Sequence, residues 1–576
     1  MTITRKNKTL PVSTIVFLFL IIFFNDIYCL NNHTFLNYKS DIVNSTINNP
    51  KINDEIKYSE IHNSIISILI RSLEKELSIN NFTELRERVE LHTWLWREMF
   101  GEGPYNFDSF KNSLFLNQIP KYLTGYKRVL TTLHQNLYSW LYNNKFFSLN
   151  DLFNSFDGRG IVICTNDNNF KYTLSTIDIL RNIINTNIPI EIFYNGEDDL
   201  SEKYKNEFLE YSDVYISDIS KYFDNDILNI NELSIKPFAI LASRFKEVIL
   251  INSDIIYIRD PYILFEEEGY KKTGTIFFRD RTLFPGPHVG SQWIKSWIIN
   301  PLPETKNLRF WNEESAHEIE TSTVVIDKGK VILGLLAVCK FNEKHIRDEI
   351  LYKKIYEEKE TFWIGFDMAR EHYNEISKPI IQVGEELIGE SDNSNVRQLW
   401  GYQGHINSDS RVLYWDEYIM KNKNDNKFND RLLKFDGYII ENTKTNWVSS
   451  KCININDQEV HYFNDEEKDI IDKIISRKKE IDLNLSKKFV IKKQYNITEI
   501  KNTINNNYSY KYTNYIELNN EKIKIIEKNS TNFDKNILYI SRHDGTISNF
   551  NNIAYKLGFN ITVLKPTVCV FKYYYI

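Results

Sequence analysis

Two shortages in this chain remove whole classes of function. Five cysteines in 576 residues (Cys29, Cys164, Cys339, Cys452, Cys569) are widely spaced, with no C-x-x-C pair or His/Cys cluster of the kind that builds structural zinc. One or two disulfides remain open in an oxidising compartment, with no pairing legible. Positive charge is not in excess either: 71 Lys and Arg face 77 Asp and Glu, for a net charge of −6. No global basic surface draws the chain to nucleic acid. Asn-x-Ser/Thr sequons are missing between Phe82 and Leu483, although nine lie outside that stretch. That gap is consistent with a compact folded centre.

What is present reads as a large globular protein. Hydrophobic residues make up 42% and charged residues 26%, enough for two or more domains with full cores. Arg5, Lys6 and Lys8 precede an apolar run, Pro11 to Phe24, with no small-x-small cleavage site after it. A signal anchor over 11–30 is expected, a cleaved signal peptide being the alternative. The positive charge ahead of the run places a tail, 1–10, in the cytosol and the bulk of the chain in the secretory lumen. Residues 31–60 are polar and Asn-rich and read as a stem. From 61 to 157 the apolar spacing is helical, as in Ile61, Ile65, Ile68 and Leu69.

At Gly158 the pattern changes. A strand over Ile161 to Thr165, a helix from Phe170 to Ile184 and a strand over Ile188 to Gly196 form a βαβ unit, which implies a parallel sheet. Lys236-Pro237-Phe238 opens a further helix that leads into KEVILINSDIIYIRDP, Lys246 to Pro261. Val248 to Ile251 suit a buried strand, and Asn252-Ser253-Asp254 follow at its end. A carboxylate there is costly without compensation, and ligands of open α/β sheets gather where strands end. Alternation places Asn252 and Asp254 on one side of the strand, where they suit a divalent cation carrying a nucleotide diphosphate. A plain Asp/Asn turn is the competing reading. More strands are expected at Gly274 to Asp280 and Ser322 to Lys328, with a helical region from Leu333 to Tyr356. Near the C-terminus, Ile537 to Ser541 and NITVLKP flank a helix-like segment, a short βαβ-like unit.

Taken in order, KPFAILASRFKEVILINSD, YKKTGTIFFRDR, ETSTVVIDK, KETFWIGFD, Gly404-His405 and VLYW resemble the fungal Golgi α-1,3-mannosyltransferases, over about residues 85 to 420. The resemblance implies an α/β fold with a GT-A-like nucleotide-sugar-binding domain and a mostly parallel central sheet, here over 158–420. It leaves 421–576 as a polar linker and C-terminal region. It also implies a single-pass Golgi membrane enzyme, GDP-mannose as donor, a glycan acceptor, Mn²⁺ as cofactor and retention of configuration. Asp254 matches the last carboxylate of the family's Asp-x-Asp metal motif, Asn252 replaces its first Asp, and Asp367 replaces a Glu.

The expected metal set is Asp254, Asn252 and His405, since Mn²⁺ takes oxygen and imidazole ligands. Lys236, Thr165, Arg279 and Asp280 are expected to bind the donor, with solvated or ion-paired surface positions as the alternative for Lys236, Arg279 and Asp280. Glu320 and Asp367 are expected nearest the reacting sugar; a solvated residue and a helix cap are the plainer readings. Two other functions stay open, a lumenal glycosyltransferase with a different nucleotide-sugar donor and a catalytically weakened glycan-binding relative. A glycosidase needs two carboxylates facing one bond and would not explain a nucleotide-type βαβ start.

Overall fold

A computed structural model describes residues 63–100, 121–416 and 434–485, apart from isolated positions, and the backbone of five strands between 514 and 572. The expected tail, anchor and stem, 1–60, lie outside these residues. No described helix is long and apolar enough to cross a membrane. The chain divides into two compact units, Met1–Asp482 and Leu483–Ile576.

In the first unit, helices α1 (Phe82–Phe100) and α2 (Lys121–Leu137) precede the sheet. Strand β1 (Arg159–Cys164), α3 (Phe170–Asn182), β2 (Ile190–Tyr194) and β3 (Val214–Asp218) follow, then α4 (Ile235–Ala242) and β4 (Glu247–Ile251). Next come β5 (Ile256–Tyr257), β6 (Thr275–Arg279), β7 (Ile319–Asp327), α5 (Lys328–Phe341), α6 (Thr361–Met368) and β8 (Glu375–Ile376). The central sheet runs β3-β2-β1-β4-β7-β6-β8. Pairs β1–β2, β2–β3, β1–β4 and β6–β8 are parallel, whereas β7 is antiparallel to both β4 and β6. The mostly parallel sheet expected of a GT-A-like domain is present. The apolar run Val248–Ile251 sits at its centre because both faces are covered, and each of these residues is almost wholly buried. At Gly160 a Cβ would stand 2.1 Å from the Phe245 ring, so only glycine lets that ring close on β1.

The helical N-terminal region is not a separate domain. Leu95 and Trp96 of α1, Leu133 of α2, Phe238, Leu250, Leu336 and Phe366 belong to one apolar cluster. Trp140 is fully buried within it, and its indole N–H donates to Glu343 Oε1 at 2.6 Å, which satisfies a donor that burial would otherwise strand.

A second sheet lay beyond the sequence reading. It is built from β9 (Ile381–Ser391), β10 (Ser394–Ile406), β11 (Val412–Trp415), β12 (Gly437–Ile440), β13 (Asn446–Ser449), β14 (Cys452–Asn454) and β15 (His461–Tyr462). Its main path is β13-β14-β10-β9-β12-β15, and β11 joins β10 to β5. The expected boundary at 420 is therefore corrected: β12 to β15 complete a sheet begun inside 158–420. The helix that follows, through residue 482, packs Ile471 and Ile474 on Ile179 of α3 and Trp415 of β11.

The second unit is a five-stranded antiparallel sheet of β16 (Asn514–Leu518), β17 (Glu521–Ile526), β18 (Ile537–Arg542), β19 (Asn560–Lys565) and β20 (Val568–Lys572), in the order β16-β17-β18-β20-β19. The two strands expected of a βαβ-like unit, β18 and β19, are there, but β20 lies between them and is antiparallel to both. The helix-like segment between them lies outside the described residues. Cys164, Cys339 and Cys452 carry free thiols; Cys29 and the side chain of Cys569 lie outside the described residues.

Candidate functional site

After β1 the chain steps outward to β2 and β3, then returns to β4 on the other side of β1. The crevice beyond the ends of β1 and β4 is thus the point where strand order reverses, the usual ligand position in an open α/β sheet. A cavity of about 410 Å³ opens there. Its wall comprises Cys164 at the end of β1, Thr165, Asn166 and Asn169 between β1 and α3, Asn195 and Asp199 after β2, Asn231, Ile235 and Lys236 around the start of α4, Leu250 to Asp254, and Asp416.

Asn252 and Asp254 both face this cavity, but strand alternation is not the cause. β4 ends at Ile251, and the next residues form a turn. That turn is held from both sides: Asn252 N donates to Ser322 O at 2.8 Å, and Thr176 Oγ1 of α3 donates to Ser253 O at 3.0 Å. Thr165 is fixed by Thr173, with the two hydroxyls 2.6 Å apart. Burial pushes the Cys164 thiol up to about 12, so it is no nucleophile at neutral pH.

Lys236 is partly buried at the cavity wall and pairs with Glu358, Nζ to Oε1 at 2.8 Å, and with Thr321 Oγ1 at 3.0 Å. Desolvation opposes its charge, but the Glu358 carboxylate beside it and the nearby Glu320 and Asp416 raise its pKa overall. Lys236 is therefore a cation in place of the solvated residue that was the alternative. Its Thr321 partner lies in a bulge. Along β6 and β7, Phe277 faces Val324 whereas Phe278 faces Glu320, so Thr321, Ser322 and Thr323 are displaced from the ladder. Bulges re-aim side chains beside sites. Here Thr321 meets Lys236, Ser322 meets Glu320, and Thr323 meets Tyr257 OH at 2.7 Å.

Sequence reading missed Asp416. It stands one residue past β11, and β11 pairs with β5 so that Trp415 lies opposite Ile256. This register carries Asp416 to the turn that holds Asp254. The apolar VLYW strand signalled a strand but not which strand it would meet.

His405 stands elsewhere. It is buried, packed on Phe278 and Tyr414, and its Nε2 is 3.4 Å from Glu320 Oε2. It does not line the cavity, and its polar contact in this structure is with Glu320. Gly404 serves the sheet: a Cβ there would be 2.8 Å from Tyr414 O. Glu320 itself also accepts from Ser322 N at 2.6 Å and from the Ser322 hydroxyl.

Three other expectations change. Asp367 is fully buried in α6, where Oδ2 accepts from Leu302 N and Thr305 Oγ1, each at 2.7 Å. Desolvation raises its pKa. It ties the chain at 302–305 to the helix, among the core side chains of FWIGFD and away from the cavity wall. Arg279 and Asp280 do not line the cavity either. Arg279 is paired with Glu375 at 3.0 Å. Asp280 accepts from Lys359 Nζ at 2.5 Å and Gln403 Nε2 at 3.1 Å. Burial alone would raise the Asp280 pKa, but the Lys359 ammonium and the Arg281 backbone N–H hold it well below the carboxylate range.

The segment just upstream of Asp367 does more than the sequence suggested. Glu358 meets Lys236, Lys359 meets Asp280, and Glu360 accepts from Glu318 N at 2.9 Å and from the Trp363 indole at 2.6 Å. Three consecutive charged side chains thus brace three parts of the site.

Among the described residues, no group of three or more His, Cys, Asp or Glu side chains stands at metal-binding spacing. The cavity offers oxygen donors: the carboxylates of Asp254 and Asp416 and the Asn252 amide. One or two carboxylates with phosphate oxygens from a ligand suit a hard divalent cation. The wall fits such an ion shared with a bound phosphate, but not a closed protein cage.

The fold and the switch-point cavity define an α/β protein with a mostly parallel sheet and a ligand-sized crevice where strand order reverses. A family model described as "Mannosyltransferase putative" matches residues 158–291 and 295–398. "Putative alpha-1,3-mannosyltransferase MNN14" of Candida albicans is 26% identical over 319 residues, covering 48% of this chain and 44% of the relative. "Alpha-1,3-mannosyltransferase MNN1" of Saccharomyces cerevisiae is 22% identical over 375 residues, covering 54% and 48%. The chain spans under half the length of both relatives. Among solved structures, the mannosyltransferase Ktr4p from S. cerevisiae in complex with GDP shares 10% identity at a TM-score of 0.25, covering 52% of this chain and 81% of that one. That is a likeness only. The matched stretch, within 158–398, is similar to fungal α-1,3-mannosyltransferases.

Proposed function

We propose that the chain transfers mannose from GDP-mannose to a glycan acceptor with retention of configuration, forming an α-1,3 linkage, and that it works from an N-terminal anchor in the Golgi membrane. One observation carries the reading: the Asn252–Asp254 turn lines a cavity at the strand-order reversal, within the stretch that matches the mannosyltransferase family. The electrostatics support a cation-dependent donor. Asp199, Asp254 and Asp416 line the cavity, and its Lys236 is already paired with Glu358. A diphosphate entering alone meets net negative charge.

Asp254, Asp416 and Asn252 would hold a divalent cation, with Mn²⁺ the leading candidate. When bound, the ion would offset diphosphate charge and act as a Lewis acid toward the leaving group. Lys236 stands where it adds positive charge beside the phosphates, and Thr165 and Asn195 offer hydrogen bonds to the nucleotide. Glu320, bonded to Ser322 and beside His405, is not in the cavity wall, but its charge reaches Lys236, and it would be the carboxylate nearest the reacting sugar. Neither Asp367 nor Cys164 takes part.

The test is nucleotide release from GDP-mannose, UDP-glucose and UDP-galactose by the full chain, with and without Mn²⁺. GDP-mannose turnover that needs the metal supports the reading. Metal-independent turnover removes the role given to Asp254, and preference for a UDP-sugar replaces the donor. Asn252, in place of a carboxylate, favours a second reading, a weakened glycan-binding relative. Saccharide binding without any nucleotide binding would favour it.

A further inference from the structure

Two large aromatic side chains are exposed where solvent exposure is costly. Phe284 is 72% exposed and Tyr356 54%. Each is tied to a backbone conformation that L side chains rarely adopt: φ is 49° at Phe284 and 55° at Glu357, the neighbour of Tyr356. Strain of this kind gathers at functional sites. Exposed aromatics held so are more informative than scattered apolar surface.

The two rings flank one imidazole. The His317 centroid is 4.8 Å from that of Tyr356 and 6.4 Å from that of Phe284. Lys359 Nζ lies 2.5 Å from His317 Nδ1, 2.5 Å from Asp280 Oδ2 and 4.9 Å from the Tyr356 ring centre. An ammonium only donates, so Nδ1 accepts and the imidazole proton sits on Nε2. His317 is thus a neutral donor between two aromatic faces, and the Asp280 charge is balanced by Lys359. Such a wall suits a neutral polyhydroxylated ring better than an anion: weakly positive C–H groups lie on the negative ring faces, and a hydroxyl accepts from Nε2.

A chain of hydrogen bonds links this wall to the donor cavity. Asp280 accepts from Gln403 Nε2, and Gln403 O accepts from the backbone N–H of Asp416, a cavity residue, at 2.8 Å. Lys359 also feels the charge of Glu320.

We propose that Phe284, Tyr356 and His317 form the acceptor subsite, stacking a neutral pyranose between the two rings with one hydroxyl on His317 Nε2. This rests on the transferase reading and adds the residues that choose the acceptor. The experiment uses the full chain with GDP-mannose and with methyl α-D-mannopyranoside and α-linked mannobiose as probes. Phe284→Ala and Tyr356→Ala should each raise the acceptor KM by about fivefold or more, the scale of a lost ring contact. The donor KM, kcat and donor hydrolysis without acceptor should stay within about twofold, since neither ring lines the donor cavity. Phe284→Tyr and Tyr356→Phe should restore the acceptor KM. An unchanged acceptor KM in the double alanine variant overturns the proposal. If the parent binds no nucleotide sugar, the transferase reading fails instead. Ligand-observed NMR binding of the same two saccharides, lost in the alanine variants and kept in the conservative ones, then decides the subsite by itself; no binding to the parent also overturns it.

Discussion

Glu360→Gln should change how the stability of the first unit depends on pH. Glu360 is fully buried, and desolvation raises its pKa from 4.5 to about 8. A carboxyl whose folded pKa is raised gives its full stabilisation below the unfolded value and loses it as pH climbs through the folded value. Between pH 5 and 7.5 the unfolded chain releases the proton while the folded chain mostly keeps it. At about 1.4 kcal/mol per pH unit, this costs the native state about 3 kcal/mol over that interval. Glutamine does not titrate, so the cost disappears. It can accept only one of the two bonds now made by Glu318 N and the Trp363 indole, a pH-independent loss of about 1–3 kcal/mol. The variant should therefore be the less stable protein at pH 5 and match or pass the parent by pH 7.5. Urea unfolding of both proteins across that range measures the difference, and other titrating groups cancel between the two curves. Parallel curves would mean that Glu360 is ionised in the folded protein, and the reasoning from burial would be wrong.

Asn252→Asp should tighten Mn²⁺ binding in the presence of GDP by roughly tenfold, and Asp254→Asn should weaken it at least as much, because a carboxylate ligates a hard cation better than an amide. Electron paramagnetic resonance of free Mn²⁺ measures this without turnover, and equal affinities in all three proteins would remove both residues from the cation site. His92 and His134 are buried against each other, Nε2 to Nδ1 at 2.9 Å, and desolvation lowers the His134 pKa to about 3 and that of His92 well below 6.5. Above pH 6.5 both stay neutral folded or unfolded. As pH falls below 6.5 the unfolded chain takes protons that the folded chain refuses, so each should cost about 1.4 kcal/mol per pH unit. A His92→Gln/His134→Gln double variant should lack that acid-side loss, and an identical slope in the parent would show that the pair is protonated in the fold. Gly404→Ala forces a Cβ to 2.8 Å from Tyr414 O and 3.1 Å from the Trp415 Cβ. It should cost about 1–3 kcal/mol by overpacking, read as a lower midpoint in thermal unfolding; an unshifted midpoint would show that β10 and β11 can separate freely.

By itself the sequence settled what local pattern can settle. An apolar run of β-branched residues ending in Asn-Ser-Asp can only be a strand meeting a polar edge. The alternation of strands and helices from Gly158 to Ile251 carries the parallel half of the sheet, with β1 to β4 where the periodicity puts them. It also placed Asn252, Asp254, Lys236 and Thr165 together, because all four lie at strand ends or helix starts on one edge of that sheet. The antiparallel course of β7 was beyond it, since direction leaves no mark on the pattern of a strand buried on both faces. So was the second sheet, where β9 to β15 pair through contacts distant in sequence. The rest of the site was settled by those pairings. The register of β5 on β11 brought Asp416 to the Asp254 turn, and the bulge in β7 aimed Thr321 at Lys236. Helix α6 took Asp367 into the core, where Leu302 and Thr305 hold it. A side chain's type shows what chemistry it can do, but its partners are decided by strand register and by what packs over it.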